Sequence, residues 1–189
     1  MYRNYIAGKW TEALSGNLFA SHNPANGELV GEVPQSGTED VERAVAAAAE
    51  AYPRWRRLPA PKRGELLFRA ARLLEAEKER IAQLMTREMG KVIVEARGDV
   101  QEAIDMAYYM AGEGRRLLGY TAPVELPDKF GMALRDSIGV VACITPWNFP
   151  IAIPGWKTLP ALIAGNTVVF KPASDTPVLG LEFARIFDE

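Results

Sequence analysis

Residues 140–171 read VVACITPWNFPIAIPGWKTLPALIAGNTVVFK, and this stretch decides the fold. Val140 to Ile144 is a nearly continuous apolar run with the length of a strand buried on both faces. Ile151 to Ala164 reads as a helix, Asn166 to Phe170 is a second apolar run, and Pro177 onward is helical again. Strand, helix, strand, helix is the order of a parallel sheet whose crossover helices cover its faces. The expected class is therefore α/β, with about two strands of a doubly wound sheet that ordinarily has several more. The chain stops at Phe187, Asp188 and Glu189 inside a helical stretch with no return strand, so it reads as the N-terminal portion of a larger sheet.

Upstream the character is helical. Thr38 is placed to cap a helix with Glu39 and Asp40 in its first turn, where the helix dipole favours anions, and Val41, Ala44, Val45, Ala48 and Ala49 would form its buried stripe. That helix should end between Pro53 and Leu58. Pro61 opens a second, with Leu66, Leu67, Ala70, Leu73 and Leu74 at helical spacing, continuing through Ile81, Leu84 and Met85 to Gly90. A third periodic stretch runs from about Val94 to Leu118 through Ala103, Ile104, Ala107, Tyr108 and Ala111. Tyr2 to Pro34 holds short strands broken at Gly8, Gly16, Pro24 and Gly27. TAPVELPDKF and GMALRDSIGVVACI, after Gly119, read as a loop and two extended pieces that form a hairpin.

Composition removes several classes. The 189 residues are 48% apolar, enough for a core, and 22 Lys and Arg against 24 Asp and Glu give no basic footprint for nucleic acid or anionic lipid. The start MYRNYIAGKW has neither signal-peptide nor transit-peptide character, and no apolar run approaches the roughly 18 residues of a membrane span, so a cytoplasmic protein is expected. Cys143 is the one cysteine and His22 the one histidine, which rules out an internal disulfide and a cysteine zinc site. Cys143 lies in a buried strand with no basic neighbour in sequence to stabilise a thiolate, and an inert core thiol is expected. His22, in SHNPANG, reads as a surface residue, and the basic cluster WRRLPAPKR as a solvated helix junction.

In open parallel sheets ligands bind beyond the carboxyl ends of the strands, which directs attention to residues just past Ile144 and Phe170. Asn148 sits in ITPWNFP, a loop stiffened by Pro146 and Pro150. Its amide can donate to an oxyanion, or it can cap the next helix or tie its own loop. Lys171, in VVFKPASDTP, can reach a nucleotide as a mobile cation or be a solvated strand-end lysine. Ser174 and Thr176 offer hydroxyls on the same loop or serve as helix caps. Trp147 and Trp156 can line a pocket or pack in the core. No GxGxxG or Walker-type fingerprint is present.

ITPWNFP, the apolar helix after it and GNTVVFKPAS together resemble the aldehyde dehydrogenase superfamily, and the resemblance extends through IAGKW, NPANGELVGEVP, TREMGKVIVEARGDV and AIDMAYYMAGEG. It implies oxidation of an aldehyde to an acid with NAD or NADP, through a cysteine thiohemiacetal. Asn148 would be the oxyanion donor and Lys171 would contact the adenine ribose, with Ile144, Thr145, Pro146 and Trp147 forming the wall of the nucleotide site. Ser174 stands where many NAD-preferring members carry a ribose-binding glutamate, which leaves a 2'-phosphate less repelled. The implied fold is the N-terminal portion of a Rossmann-like NAD(P)-binding domain, incomplete over residues 1–189, with N-terminal helices and a β-hairpin oligomerisation arm at 121–139. The catalytic domain, with the nucleophilic cysteine and the general-base glutamate, is absent, so the chain alone is expected to be inactive. A homo-oligomer, dimer or tetramer, is implied for the full protein. REMGK, YYMAGEG and KPAS resemble members acting on semialdehydes such as 2,5-dioxopentanoate or succinate semialdehyde. The alternative is a non-catalytic truncated homologue that serves as an oligomerisation or interaction module.

Overall fold

The computed structural model describes residues 2–189. Two small antiparallel pairs open the chain. Strands β1 (Asn4–Ile6) and β2 (Lys9–Thr11) turn over Ala7 and Gly8, both left-handed at φ 53° and 74°, the pairing that matches a two-residue hairpin to strand twist. Strands β3 (Leu18–His22) and β4 (Leu29–Pro34) form the second pair. His22 is exposed at the end of β3.

Helix α1 (Thr38–Arg57) starts one residue earlier than the Thr38 cap implies, and Thr38 is its first helical residue. Asp40 does the capping: its carboxylate accepts from the backbone N–H of Gly37 at 3.1 Å and, from outside the helix, of Leu14 at 3.1 Å. The expected buried stripe is also corrected. Ala48 is buried, whereas Val41 and Val45 are 53% and 43% exposed, because α1 rests on the start of a sheet only two strands wide. One anchor there is the Thr167 hydroxyl, which donates to the Ala48 carbonyl at 2.9 Å.

The long second helix is two. Helix α2 (Ala60–Ala76) breaks at Glu77, which sits at φ −91° and ψ 0°, before α3 (Lys78–Met89), and Leu74 and Ile81 on either side of the break are both fully buried. Gly90 ends α3 in the left-handed conformation, φ 78°, which costs a side-chain-bearing residue and not glycine. Helix α4 (Ile93–Glu113) ends five residues before the expected Leu118. Gly114 ends it where a Cβ would lie 2.6 Å from the Ala60 carbonyl, so the end of α4 is seated on the start of α2. Leu67, Ala71, Leu74, Met85, Val100, Ile104 and Ala107, joined by Leu159, Leu179 and Phe183 from later in the chain, make one continuous core.

An exposed hairpin follows, β5 (Tyr120–Ala122) against β6 (Gly131–Ala133), so its partner strands are not the two pieces of GMALRDSIGVVACI, the second of which pairs elsewhere. Then come β7 (Val140–Ile144), α5 (Ala152–Ile163), β8 (Thr167–Lys171) and α6 (Pro177–Arg185), with β7 and β8 parallel and Ile144 opposite Lys171. The strand, helix, strand, helix order and the parallel pairing agree with the sequence reading. Gly165, at φ 95°, returns the chain from α5 into β8, and the Asn166 side chain accepts from the N–H groups of Ile138 and Gly139 at 2.7 and 3.0 Å, fixing the root of the hairpin.

The basic cluster before α2 is more than a solvated junction. Arg63 is 6% exposed and donates from Nε and Nη2 to the Ile163 carbonyl at 3.0 and 2.9 Å, while a further guanidinium N–H reaches the Leu58 carbonyl. Trp55 donates to the Leu162 carbonyl at 3.1 Å. Arg63 satisfies the last carbonyl of α5, and Trp55 adds a second donor to the Leu162 carbonyl, which also accepts from Gly165 N–H at 3.0 Å. No helix among the described residues is long and apolar enough to cross a membrane.

Candidate functional site

The carboxyl ends of β7 and β8 lie side by side, and the ladder extends one step past them through a 3.2 Å bond from Thr145 N to the Lys171 carbonyl. Ile144, Thr145, Pro146, Trp147 and Asn148 leave one strand, Lys171 to Ser174 the other, so the residues singled out in the sequence are brought to one end of one sheet. Ile144 is 76% exposed although apolar, and Trp147 is half exposed. Lys171 and Ser174 are exposed, and neither side chain makes an ion pair or hydrogen bond among the described residues. Thr145 is buried, yet its hydroxyl has no partner, and the same holds for Thr176 at the start of α6. The hydroxyls of Thr11 and Thr86, away from the strand ends, are unpartnered in the same way, so the unpaired hydroxyls are not confined to this site.

Asn148 resolves between its two readings in a specific way. It does not cap α5, and its amide makes no hydrogen bond among the described residues. The first helical N–H, that of Ala152, donates instead to Asp99 Oδ1 at 2.8 Å. The other oxygen of Asp99 faces Lys91 at 2.8 Å, and Lys91 donates in turn to the backbone carbonyl of Asn148, also at 2.8 Å. The Asn148 backbone is thus held while its side chain stays available. Phe149 stacks on Trp156 at 6.1 Å, which places Trp156 in a packing role.

Helix α6 is capped from afar as well. Glu88, near the end of α3, accepts from the N–H groups of Val178 and Leu179 at 2.8 Å each and from the Ser21 hydroxyl at 2.9 Å. Burial pushes its carboxyl above the usual carboxylate value, with the two backbone N–H groups and Ser21 pulling the other way. The short turn from Glu88 to Lys91 therefore braces both loops, one at α6 and one at Asn148. Close packing supports the second loop: a Cβ on Gly180 would come within 2.4 Å of the Pro172 ring, so α6 sits directly against the exit of β8.

A cleft of about 440 Å³ opens on the α3–α4 side of the Asn148 loop, bounded by Lys91, Glu95, Asp99, Glu102, Trp147 and Asn148. Lys171 and Ser174 lie outside it. Cys143 is 4% exposed, and burial pushes its thiol up, the cation of Lys157 opposing weakly. That is the environment of a core thiol.

Sequence reasoning missed Lys91, Asp99, Glu88 and Arg63. The signal for Asp99 was present, since it falls on the apolar stripe Ala96, Val100, Ala103, Ala107 of α4, where an unpaired carboxylate would be costly. Its partners, 8 and 53 residues away, were not legible.

The aldehyde dehydrogenase family model matches residues 10–189. The chain is 45% identical over 189 residues to the alpha-ketoglutaric semialdehyde dehydrogenase of Bacillus subtilis, covering 100% of this chain and 39% of that protein. Two solved structures superpose closely: succinate-semialdehyde dehydrogenase from Burkholderia pseudomallei, with a TM-score of 0.96, 38% identity and coverage of 100% of this chain and 39% of that one, and an NADP dependent enzyme of E. coli, with a TM-score of 0.95, 40% identity and coverage of 98% and 39%. The chain thus spans about 39% of the length of the relatives it matches. The fold is the N-terminal portion of theirs, and the chain belongs to the aldehyde dehydrogenase family.

Proposed function

We propose that residues 1–189 supply the oxyanion donor and part of the dinucleotide site of an NAD(P)-dependent dehydrogenase that oxidises a semialdehyde to its acid. The observation that carries this reading is the state of Asn148. Its backbone is fixed by a buried ion pair, the capping task beside it has been taken by Asp99, and its amide donors are unspent. An amide donor carried on a held backbone suits charge that develops on a carbonyl oxygen, and removing such a donor typically lowers kcat about 10²- to 10³-fold.

A nicotinamide dinucleotide fits the residues at the strand ends. Lys171 is a cation with no carboxylate partner and suits a ribose or phosphate, Ser174 offers an unpaired hydroxyl, and Ile144 presents an exposed apolar surface suited to a flat base. The orphaned Thr145 hydroxyl lies beneath the same strand end. When bound, the dinucleotide supplies the hydride acceptor; this chain's residues bind it and orient the carbonyl that loses the hydride. With serine and not a carboxylate at 174, a 2'-phosphate meets less repulsion, which favours use of NADP beside NAD. The names of two relatives, alpha-ketoglutaric and succinate semialdehyde dehydrogenase, support a short acidic semialdehyde as substrate.

The hairpin supports a homo-oligomer of the full protein. Leu118, Tyr120, Leu126, Phe130, Leu134 and Ile138 are 66–88% exposed along it, an apolar surface that water does not favour. The cofactor half of the reading is tested with the protein made from the full reading frame that carries residues 1–189. Initial rates with NAD+ and NADP+ are compared for the unaltered protein and Ser174→Glu. The expected result is that Ser174→Glu raises KM for NADP+ about tenfold or more, roughly one charge repulsion at short range, and leaves NAD+ nearly unaffected. Equal effects on both nucleotides contradict the assignment of Ser174.

A further inference from the structure

We propose that Lys91 and Asp99 are a positioning pair for Asn148, which sets the aim of its amide without touching substrate or cofactor. The proposal rests on the reading of Asn148 as an oxyanion donor. Every direction open to the Lys91 ammonium is used: Asp99 Oδ2 at 2.8 Å, the Asn148 carbonyl at 2.8 Å, and the face of the Phe149 ring with its centroid 4.2 Å away. The Lys91 side chain is 8% exposed and that of Asp99 0%. One buried cation therefore grips residues 148 and 149, and its counter-ion grips residue 152 at the first turn of α5.

Placement of a full ion pair here calls for an explanation. Desolvating two charges offsets most of their attraction, so buried pairs are poor devices for stability alone, and apolar residues of similar size often do as well. What the pair provides is direction. The Asn148 side chain has no hydrogen bond of its own, so its amide can be aimed only through its backbone, and that backbone has one strong polar restraint, the bond from Lys91. Pro146 and Pro150 limit φ on either side but do not fix the peptide plane between them. Gly90, left-handed immediately before Lys91, turns the chain from α3 so that the lysine reaches the loop.

A double-mutant cycle distinguishes positioning from a merely structural role. In the protein made from the full reading frame, kcat and nucleotide KM are measured for Asn148→Ala, Lys91→Met and the double variant. If Lys91 acts through Asn148, Lys91→Met lowers kcat about 10- to 100-fold, the scale of a misplaced reacting group, with little change in KM. In the Asn148→Ala background it then costs almost nothing further. Lys91→Arg restores part of the loss. Equal fold-losses in both backgrounds overturn the proposal, as does an unaltered kcat in Lys91→Met while Asn148→Ala is impaired. An unaltered kcat in Asn148→Ala itself overturns the oxyanion reading, and the positioning proposal with it. Should Lys91→Met not fold, Lys91→Gln is carried through the same cycle and amide exchange is followed. Faster exchange confined to Ala152 and Ile153, whose N–H groups bond to Asp99 and to the Phe149 carbonyl, agrees with the proposal, and unchanged protection there overturns it.

Discussion

Lys91 and Asn148, 57 residues apart, are joined by a 2.8 Å hydrogen bond from the lysine ammonium to the asparagine carbonyl, with Asp99 closing the arrangement at 2.8 Å on the other side of the lysine. The stability consequence is separable from the catalytic one. Removing one member strands the other as a buried charge, which costs about 3–5 kcal/mol, whereas replacing both with apolar groups costs much less than twice that. Urea denaturation of Asp99→Leu, Lys91→Met and the double variant is expected to give a double-variant loss smaller than the sum of the singles. Additive losses would mean that the two charges are not coupled.

Glu88 gives the chain a pH dependence with a definite sign. Its folded carboxyl titrates above its ordinary value of 4.5, so over an interval that begins near pH 4.5 the folded chain holds a proton that the unfolded chain has released. Stability therefore falls as pH rises through that interval. Glu88→Gln has no proton to lose, and the difference in unfolding free energy between the two proteins, followed from pH 4 to 8, should shift in favour of the glutamine variant as pH rises. A difference that stays flat would place the Glu88 carboxyl at its ordinary value.

Arg63 should tolerate neither lysine nor methionine. Its fork satisfies the carbonyl of Ile163 twice and reaches that of Leu58, and a lysine point charge does not reproduce that geometry. Each buried carbonyl left without a donor costs about 1–3 kcal/mol. Arg63→Lys is expected to lower the urea midpoint clearly, and an unchanged midpoint would show that water replaces the guanidinium at no cost.

Gly64 lies where α2 and α4 touch, and a Cβ there would sit 2.5 Å from the Ala111 carbonyl oxygen. Two packed helices must separate to admit it, so Gly64→Ala is expected to lose about 1–3 kcal/mol despite the better helix propensity of alanine. A gain in thermal midpoint would show that the helices part freely.

How much was legible in the sequence follows from the range of each interaction. Apolar runs mark β7 and β8 in the sequence, and length separates them from α5 between them, although within this chain Cys143 is the buried residue of β7 while Ala142 and Ile144 are exposed. Lys171 and Asn148 could be placed at strand ends by the same reasoning. The break at Glu77 left no mark, because the apolar spacing of α2 runs on into α3 and both Leu74 and Ile81 enter the same core. The caps of α5 and α6 leave no mark for a related reason: residues next to a helix are the natural candidates, but Asp99 and Glu88 come from 53 and 90 residues away. Long-range polar pairs carry no local periodicity: Arg56, Arg57 and Lys62 of the basic cluster are exposed, as its composition suggests, whereas Arg63 is buried by its bonds to the Ile163 carbonyl, 100 residues away.

The most direct test of the account is the rate of aldehyde-dependent NAD(P)H formation by the protein from the full reading frame, with Asn148 replaced by alanine. A preorganised oxyanion donor predicts a kcat lower by about 10²- to 10³-fold at nearly constant nucleotide KM. A folded Asn148→Ala protein that turns over at the unaltered rate would contradict the account, and Asn148 would be a residue of the loop alone.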